Sequence, residues 1–305
     1  MIYVIGEALI DIIVDVEGNV LATVAGGAPL NTARTISRLG VPATFVGGIS
    51  TDAFGNRIMR LLAEDGVHYA FDSQVPEPTT LAIAELDQHG GATYRFVMDK
   101  TSATAVTPDA ALAVIGSDCR ALHAGTLGLV LQPLADATRA VVESSPAERL
   151  VMIDPNCRPS VMESSDTFRR TLDSVLARAD IVKVSSEDLE FMSPALDAQT
   201  AAQVLQRDSG ALVLFTDGPN SVQIIATAET VTIEVPKVKV VDTVGAGDSF
   251  GGGFLAQWLG RGLGRKDLTD LAAIVEAATF GIKVAGITCQ RAGADPPRAS
   301  ELSAG

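Results

Sequence analysis

Positive charge is scarce in this chain: 23 Lys and Arg stand against 37 Asp and Glu, a formal net charge of −14 at pH 7. Phosphate backbones and anionic lipid surfaces are held mainly by Lys and Arg, so neither nucleic acid nor a membrane surface is an expected partner. Cysteine is scarce too. Cys119, Cys157 and Cys289 are odd in number and far apart, which excludes a disulfide framework or zinc spacing and fits reduced, cytoplasmic thiols. No stretch of the roughly 18 to 20 apolar residues a membrane span needs runs free of charge; Glu276 and Lys283 interrupt the C-terminal one. The opening MIYVIGEALIDII carries no basic leader and no cleavage pattern, and reads as a first core strand. Gly-Lys-Ser/Thr is missing, which excludes a Walker A loop, and a full Gly-x-Gly-x-x-Gly is missing from the glycine-rich turn discussed below. His68, His89 and His123 lack paired spacing and are given no chemistry; His123 reads as the end of a core strand.

What is present suits a folded chain: 47% hydrophobic and 20% charged residues over 305 positions, enough for one large α/β domain, with or without a smaller appendage. Short apolar runs at 2–5, 44–46, 121–123, 150–153, 181–184 and 212–215 suit strands buried on both faces. Helix-like stretches such as 31–39, 56–64 and 133–143 separate several of them, predicting a mainly parallel sheet covered by helices. Two regions, 9–24 and 70–98, are rich in β-branched residues, and the second holds two strand-like runs around Gln88-His89-Gly90-Gly91. They predict a small sheet outside the main one or, alternatively, edge strands of the main sheet. No internal repeat or long linker is present, and the tail after Gly293 reads as irregular.

Chemistry concentrates in two segments. In VVDTVGAGDSFGGGFLAQWL, residues 240–259, an apolar run read as a strand enters a turn at Gly245 and Gly247, and a helix pattern follows. Free amides at such a turn, together with the positive end of the helix dipole, form an anion hole. Asp248 sits at the same helix start, where its ionised form is favoured and can take a proton from a hydroxyl. From spacing alone an ordinary aspartate N-cap is equally open. In AGGAPLNTARTISRLG, residues 25–40, Gly26 and Gly27 expose backbone ahead of a helix with Asn31 in its first turn, although a plain strand-to-helix loop is the commoner reading of that spacing.

Together the two segments resemble the paired signatures of the ribokinase-like PfkB carbohydrate kinases, Gly-Gly-x-x-x-Asn and Asp-Thr-x-Gly-Ala-Gly-Asp, in order and over essentially the whole chain. The resemblance implies one three-layer α/β domain over residues 1–305, with a mainly parallel sheet and a β-sheet lid from about 9–24 and 70–98. It implies that Asp248 is the catalytic base and that Gly245, Ala246 and Gly247 hold the transferring phosphoryl group. Asp11, Gly26, Gly27 and Asn31 would bind sugar hydroxyls. Lys183, Ser185, Thr216, Gly218 and Thr243 would face the nucleotide. ATP and Mg²⁺ are the implied cofactors, with K⁺ beside Asp242 and the segment near Gly293. The lid is the implied surface for a homodimer.

Three departures and one motif refine the expectation. Where many relatives carry Asn-x-x-Glu, this chain has Ser185 and Asp188, with Glu187 alongside, so the carboxylate serving a magnesium-bound water is Asp188 or Glu187. Gly281 and Ile282 replace an Asn often found beside the adenine, implying more apolar packing. The motif is DPNCRPSV at 154–161, which resembles fructokinase-like members and offers Arg158 to a sugar hydroxyl or carboxylate, or to a surface salt bridge. In the lid, Met98 and Asp99 stand where sugar-acid kinases present a Tyr and an Arg, and Asp99 would repel a carboxylate. A ketohexose such as fructose is therefore the expected substrate. The alternatives are 2-keto-3-deoxygluconate, then ribose or a nucleoside, or a sugar-binding protein without activity.

Overall fold

A computed structural model describes residues 1–88, 91–162 and 166–302. In chain order its strands are β1 (Ile2–Ile5), β2 (Leu9–Val14), β3 (Val20–Gly26), β4 (Ala43–Val46), β5 (His68–Tyr69), β6 (Thr80–Leu86), β7 (Ala92–Val97), β8 (Ala121–Gly125), β9 (Leu150–Asp154), β10 (Ile181–Ser185), β11 (Leu212–Asp217), β12 (Ser221–Ile225) and β13 (Thr230–Glu234). The large sheet runs β13-β12-β11-β10-β9-β8-β1-β4-β5. Its pairs are parallel from β11 to β5, whereas β12 and β13 add as an antiparallel hairpin.

Every residue of β1, β4, β8 and β9 is buried, as apolar strands covered on both faces must be. The period of two divides them between two cores. Tyr3 and Ile5 face a core shared with helices Leu134–Glu143, Asp166–Leu176 and Ala198–Ser209. Ile2 and Val4 face one shared with helices Ala28–Arg38, Ala53–Asp65, Ala246–Gly260 and Leu271–Thr288. This is the three-layer α/β arrangement that the alternation of runs predicts.

The two β-branched regions form a separate sheet of order β3-β2-β6-β7, not edge strands of the main one. Its central pair, β2 and β6, is parallel and its outer pairs are antiparallel. The second region enters this sheet only at Thr80. Before it, His68–Tyr69 pairs with β4 and Val75 bridges Ser50, so these residues belong to the edge of the main body. Residues 89 and 90 of the expected turn lie outside the described residues.

Three expectations are corrected. The run ahead of Gly245 is not a strand: residues 235–243 have no regular structure, and the amides of Val241 and Asp242 both donate to the Cys289 carbonyl. Helix Leu271–Thr288, with mean hydropathy 1.5, is long and apolar enough to cross a membrane despite Glu276 and Lys283. Here Ala273, Ile274, Ala277, Ala278 and Ile282 are buried in the second core instead. The tail after Gly293 is not wholly irregular, because Ala299–Leu302 is helical.

Candidate active site

Helix Ala246–Gly260 begins at Gly245, whose φ of 76° ends the loop in the left-handed region. No side chain caps this helix. Asp248 is its third residue and is spent on other partners, so the N-cap reading of the sequence does not hold. Its Oδ2 accepts from Asn31 Nδ2 at 2.9 Å and its Oδ1 from Asn156 Nδ2 at 3.5 Å. Burial raises the Asp248 carboxyl above the ordinary aspartate range, opposed by the Asn31 hydrogen bond and by the charges of Lys183 and Arg158. Asn31 reaches it because helix Ala28–Arg38 starts at Gly27, a residue with φ 108° where an added Cβ would stand 2.7 Å from the Glu7 carbonyl.

Lys183, buried on β10, pairs with Asp154 on β9 at 3.1 Å. Its ammonium also lies against the phosphate-type turn, since a Cβ on Gly247 would stand 2.8 Å from Nζ. Burial works against its charge, but the carboxylates of Asp154, Asp188 and Asp248 outweigh that and hold its pKa above the ordinary lysine value. The result is a fixed cation beside a helix start that no side chain caps, with the Ala246 amide tied to the Thr243 carbonyl at 3.1 Å and the positive end of the helix dipole facing the cavity, a combination suited to a phosphoryl group.

On the side of the small sheet, Asp11 projects from β2 over Gly26, where an added Cβ would meet its Oδ2 at 2.1 Å. Burial lifts Asp11 to about 6, with Arg158 pulling it down and Asp248 pushing it up. Arg158 is no surface salt bridge. Its Nη1 donates to Asn156 Oδ1 at 2.6 Å and to the carbonyls of Asn156 and Cys157. Glu7, only 1% exposed, is the acid that sequence reasoning missed. Burial pushes its carboxyl to about 8, and its Oε2 has no hydrogen-bond partner among the described residues. Tyr94 and Phe96 of β7 line the same cavity, whereas Asp99 does not and is exposed, so the repulsion expected from Asp99 is withdrawn. Arg95 points the other way and pairs with exposed Glu85 at 3.0 Å.

At the other end, Ser185 and Asp188 form a capping box on helix Ser186–Met192. Both Asp188 oxygens are occupied, Oδ1 by the Cys157 amide at 2.6 Å and Oδ2 by the Ser185 amide and hydroxyl at 2.8 and 2.9 Å. Glu187 is exposed and lines the cavity. Thr216 donates its hydroxyl to the Val184 carbonyl at 3.3 Å, and Gly218 turns the chain at φ 50°. Asp242 lies outside the cavity lining, bridging the Val244 amide at 3.0 Å and the Gly293 amide at 2.8 Å. Ile282 lines the cavity with Val238, Ala285 and Cys289, while Gly281 packs beneath Phe250.

A single cavity of about 1090 Å³ joins these groups. Asp11, Gly27, Asn31 and Arg158 line one part, and Lys183, Ser185, Asp188, Thr216, Gly218 and Thr243 another. Gly245, Ala246, Gly247 and Asp248 line it as well. Gly26 and Asp242 are the expected residues left behind this surface. Asn156 was legible in the DPNCRP motif beside Arg158. Tyr94 and Phe96 were hidden by the register of the lid strand, and Glu7 by its place in an apolar run.

Known proteins resemble this chain over most of its length. The profile described as pfkB family carbohydrate kinase matches residues 1–301. A fructokinase of Rhizobium leguminosarum bv. trifolii is 35% identical over 259 residues, 84% of this chain and 79% of that one. The structure of a fructokinase with bound ATP from Xylella fastidiosa superposes with a TM-score of 0.85 at 28% identity, covering 99% of this chain and 97% of that one. A Vibrio cholerae fructokinase in its fructose, ADP and calcium ion bound form gives 0.81 at 25% identity, with coverage of 99% and 97%. The chain belongs to the pfkB family of carbohydrate kinases.

Proposed function

We propose that this chain is an ATP-dependent kinase acting in the cytoplasm on the primary hydroxyl of a ketohexose, with fructose as substrate. The observation that carries the reading is Asp248, held by Asn31 at the start of a helix that no side chain caps and that begins beside Lys183. Asp248 would accept the hydroxyl proton, the amides of the Gly245–Gly247 turn and the Lys183 ammonium would take up charge on the phosphoryl group, and Asp11 and Arg158 would orient the sugar. The fructokinases to which the chain is similar support fructose. So does Asp11 beside the single cavity arginine, Arg158, because its charge disfavours a carboxylate on the substrate.

We take residues 1–305 as one domain in which the small sheet acts as a lid, excluding water from the transfer. Val16, Val20 and Leu21, exposed around its outer strands, are the surface through which a homodimer would form. Magnesium on the nucleotide would neutralise phosphate charge. Of the two candidate carboxylates the exposed Glu187 fits that role, because Asp188 already accepts three hydrogen bonds from protein. Each Asp242 oxygen accepts one amide and keeps a lone pair for a monovalent cation such as potassium. Turnover should therefore be faster in potassium than in tetramethylammonium chloride; equal rates would remove the cation from the account.

Arg158 favours a second reading, a sugar-acid kinase, since a guanidinium in the cavity can clamp a carboxylate. Fructose and 2-keto-3-deoxygluconate offered together decide between them. The account expects the higher kcat/KM for fructose, and a higher value for the acid would reassign the substrate.

A further inference from the structure

Asp65 closes helix Ala53–Asp65 with its side chain 1% exposed, yet three guanidiniums converge on it. Arg34 Nε lies 2.8 Å from Oδ2, and Arg38 Nε and Arg298 Nη2 lie 2.7 and 2.9 Å from Oδ1. None of the four residues lines the cavity. Burying such a cluster costs desolvation that its attractions scarcely recover, so stability alone explains it poorly. Its geometry points elsewhere. Arg34 stands one turn after Asn31, on the helix that presents Asn31 to Asp248. The second arm of Arg34, Nη1, donates to the Ala294 carbonyl at 3.0 Å. Ala294 in turn backs the phosphate-type turn: a Cβ added to Gly245 would stand 2.5 Å from its Cβ and 3.0 Å from its Cα. The neighbouring Gly293 amide is tied to Asp242 at 2.8 Å.

We infer that Arg34, braced by Asp65, is a positioning residue for the phosphate-binding turn: it fixes Ala294 against Gly245 and thereby aims the amide of Gly247, while the Ala246 amide holds the turn together through the Thr243 carbonyl at 3.1 Å. The inference rests on the kinase reading. Amides stabilise a transferring phosphoryl group only if they already point at it, and a small misplacement is felt in turnover more than in binding.

The experiment measures kcat and KM with fructose and MgATP for the wild type, Arg34→Met, Ala294→Gly and the double variant, with the melting temperature of each. A wild type inactive on both fructose and 2-keto-3-deoxygluconate would sink the kinase reading and the inference with it, whereas a wild type active on either leaves the variants, assayed with that sugar, to decide the inference alone. Arg34→Met should lower kcat about 10 to 100-fold, with the KM for sugar unchanged. Ala294→Gly, which leaves every arginine contact in place, should lower kcat in the same direction at an unchanged melting temperature. The double variant should lose no more than Arg34→Met, because both changes act through one contact. Wild-type kcat in Arg34→Met, or losses that multiply in the double variant, would overturn the inference. If Arg34→Met does not fold, Ala294→Gly decides, and wild-type kcat there overturns it.

Discussion

Glu7 and Asp248 show what a dry site does to two carboxyl groups of one chain. Asp248 has Asn31 on one oxygen and Asn156 near the other, with two cations close by, so its charged form has support despite burial. Glu7 has an Oε2 without a partner among the described residues, and burial carries its carboxyl from 4.5 to about 8. Between those two values the folded chain keeps a proton that the unfolded chain has released, so stability falls as pH rises through that window and is fully lost from this group above it. Glu7→Gln removes the titration at nearly constant shape. From pH 5 to pH 8 the melting temperature of the wild type should therefore fall further than that of the variant. Parallel curves would mean that Glu7 is ionised in the folded protein. The acid was invisible in the sequence because residues 2–14 are almost all apolar, and pattern alone does not tell a carboxyl at a strand end from one turned to solvent.

At the scale of the element, the helix carrying Asp248 is set by glycine contacts together with a buried hydrogen bond from the Thr288 hydroxyl to the Ser249 hydroxyl at 2.9 Å. Helices Ala246–Gly260 and Leu271–Thr288 pack so closely that a Cβ on Gly253 would meet Gly281 Cα at 3.1 Å, and one on Gly281 would meet the Phe250 carbonyl at 2.7 Å. Gly281 was read beside the adenine, but its structural place is this crossing. Gly281→Leu should cost about 1 to 3 kcal/mol through overpacking, seen as a lower urea midpoint, and should lower kcat by displacing the start of the Asp248 helix. An unchanged midpoint would show that the crossing is looser than these distances imply. The elements themselves were legible to different degrees. Apolar runs such as those at 150–153 and 181–184 announced β9 and β10, because a strand buried on both faces needs no partner to be recognised. The valines at 240 and 241 have the same composition but no strand to pair with, and they are exposed. The sequence pointed to Met98 and Asp99, which lie past the end of β7, and left its inward face unassigned, since a one-residue change of register exchanges the faces and only the pairing with β6 fixes it.

Over the whole molecule, the large sheet and its two helical layers carry most of the cavity, and Asp11, Tyr94 and Phe96 of the small sheet complete its lining. Two short motifs some two hundred residues apart in the sequence meet in the structure, because the Asn31–Asp248 hydrogen bond joins them directly. The pairing of Asp154 with Lys183 and the inward place of Glu7 depend on strand order and were not to be had from spacing. The account turns on Asp248 as the base. Its most direct test is the turnover of Asp248→Asn with fructose and MgATP, beside calorimetric binding of sugar and nucleotide to the same protein. Turnover should fall by about 100 to 10,000-fold while both ligands still bind, since the lost interaction belongs to the transition state. Half the wild-type turnover, or loss of both binding events in a folded variant, would contradict the assignment.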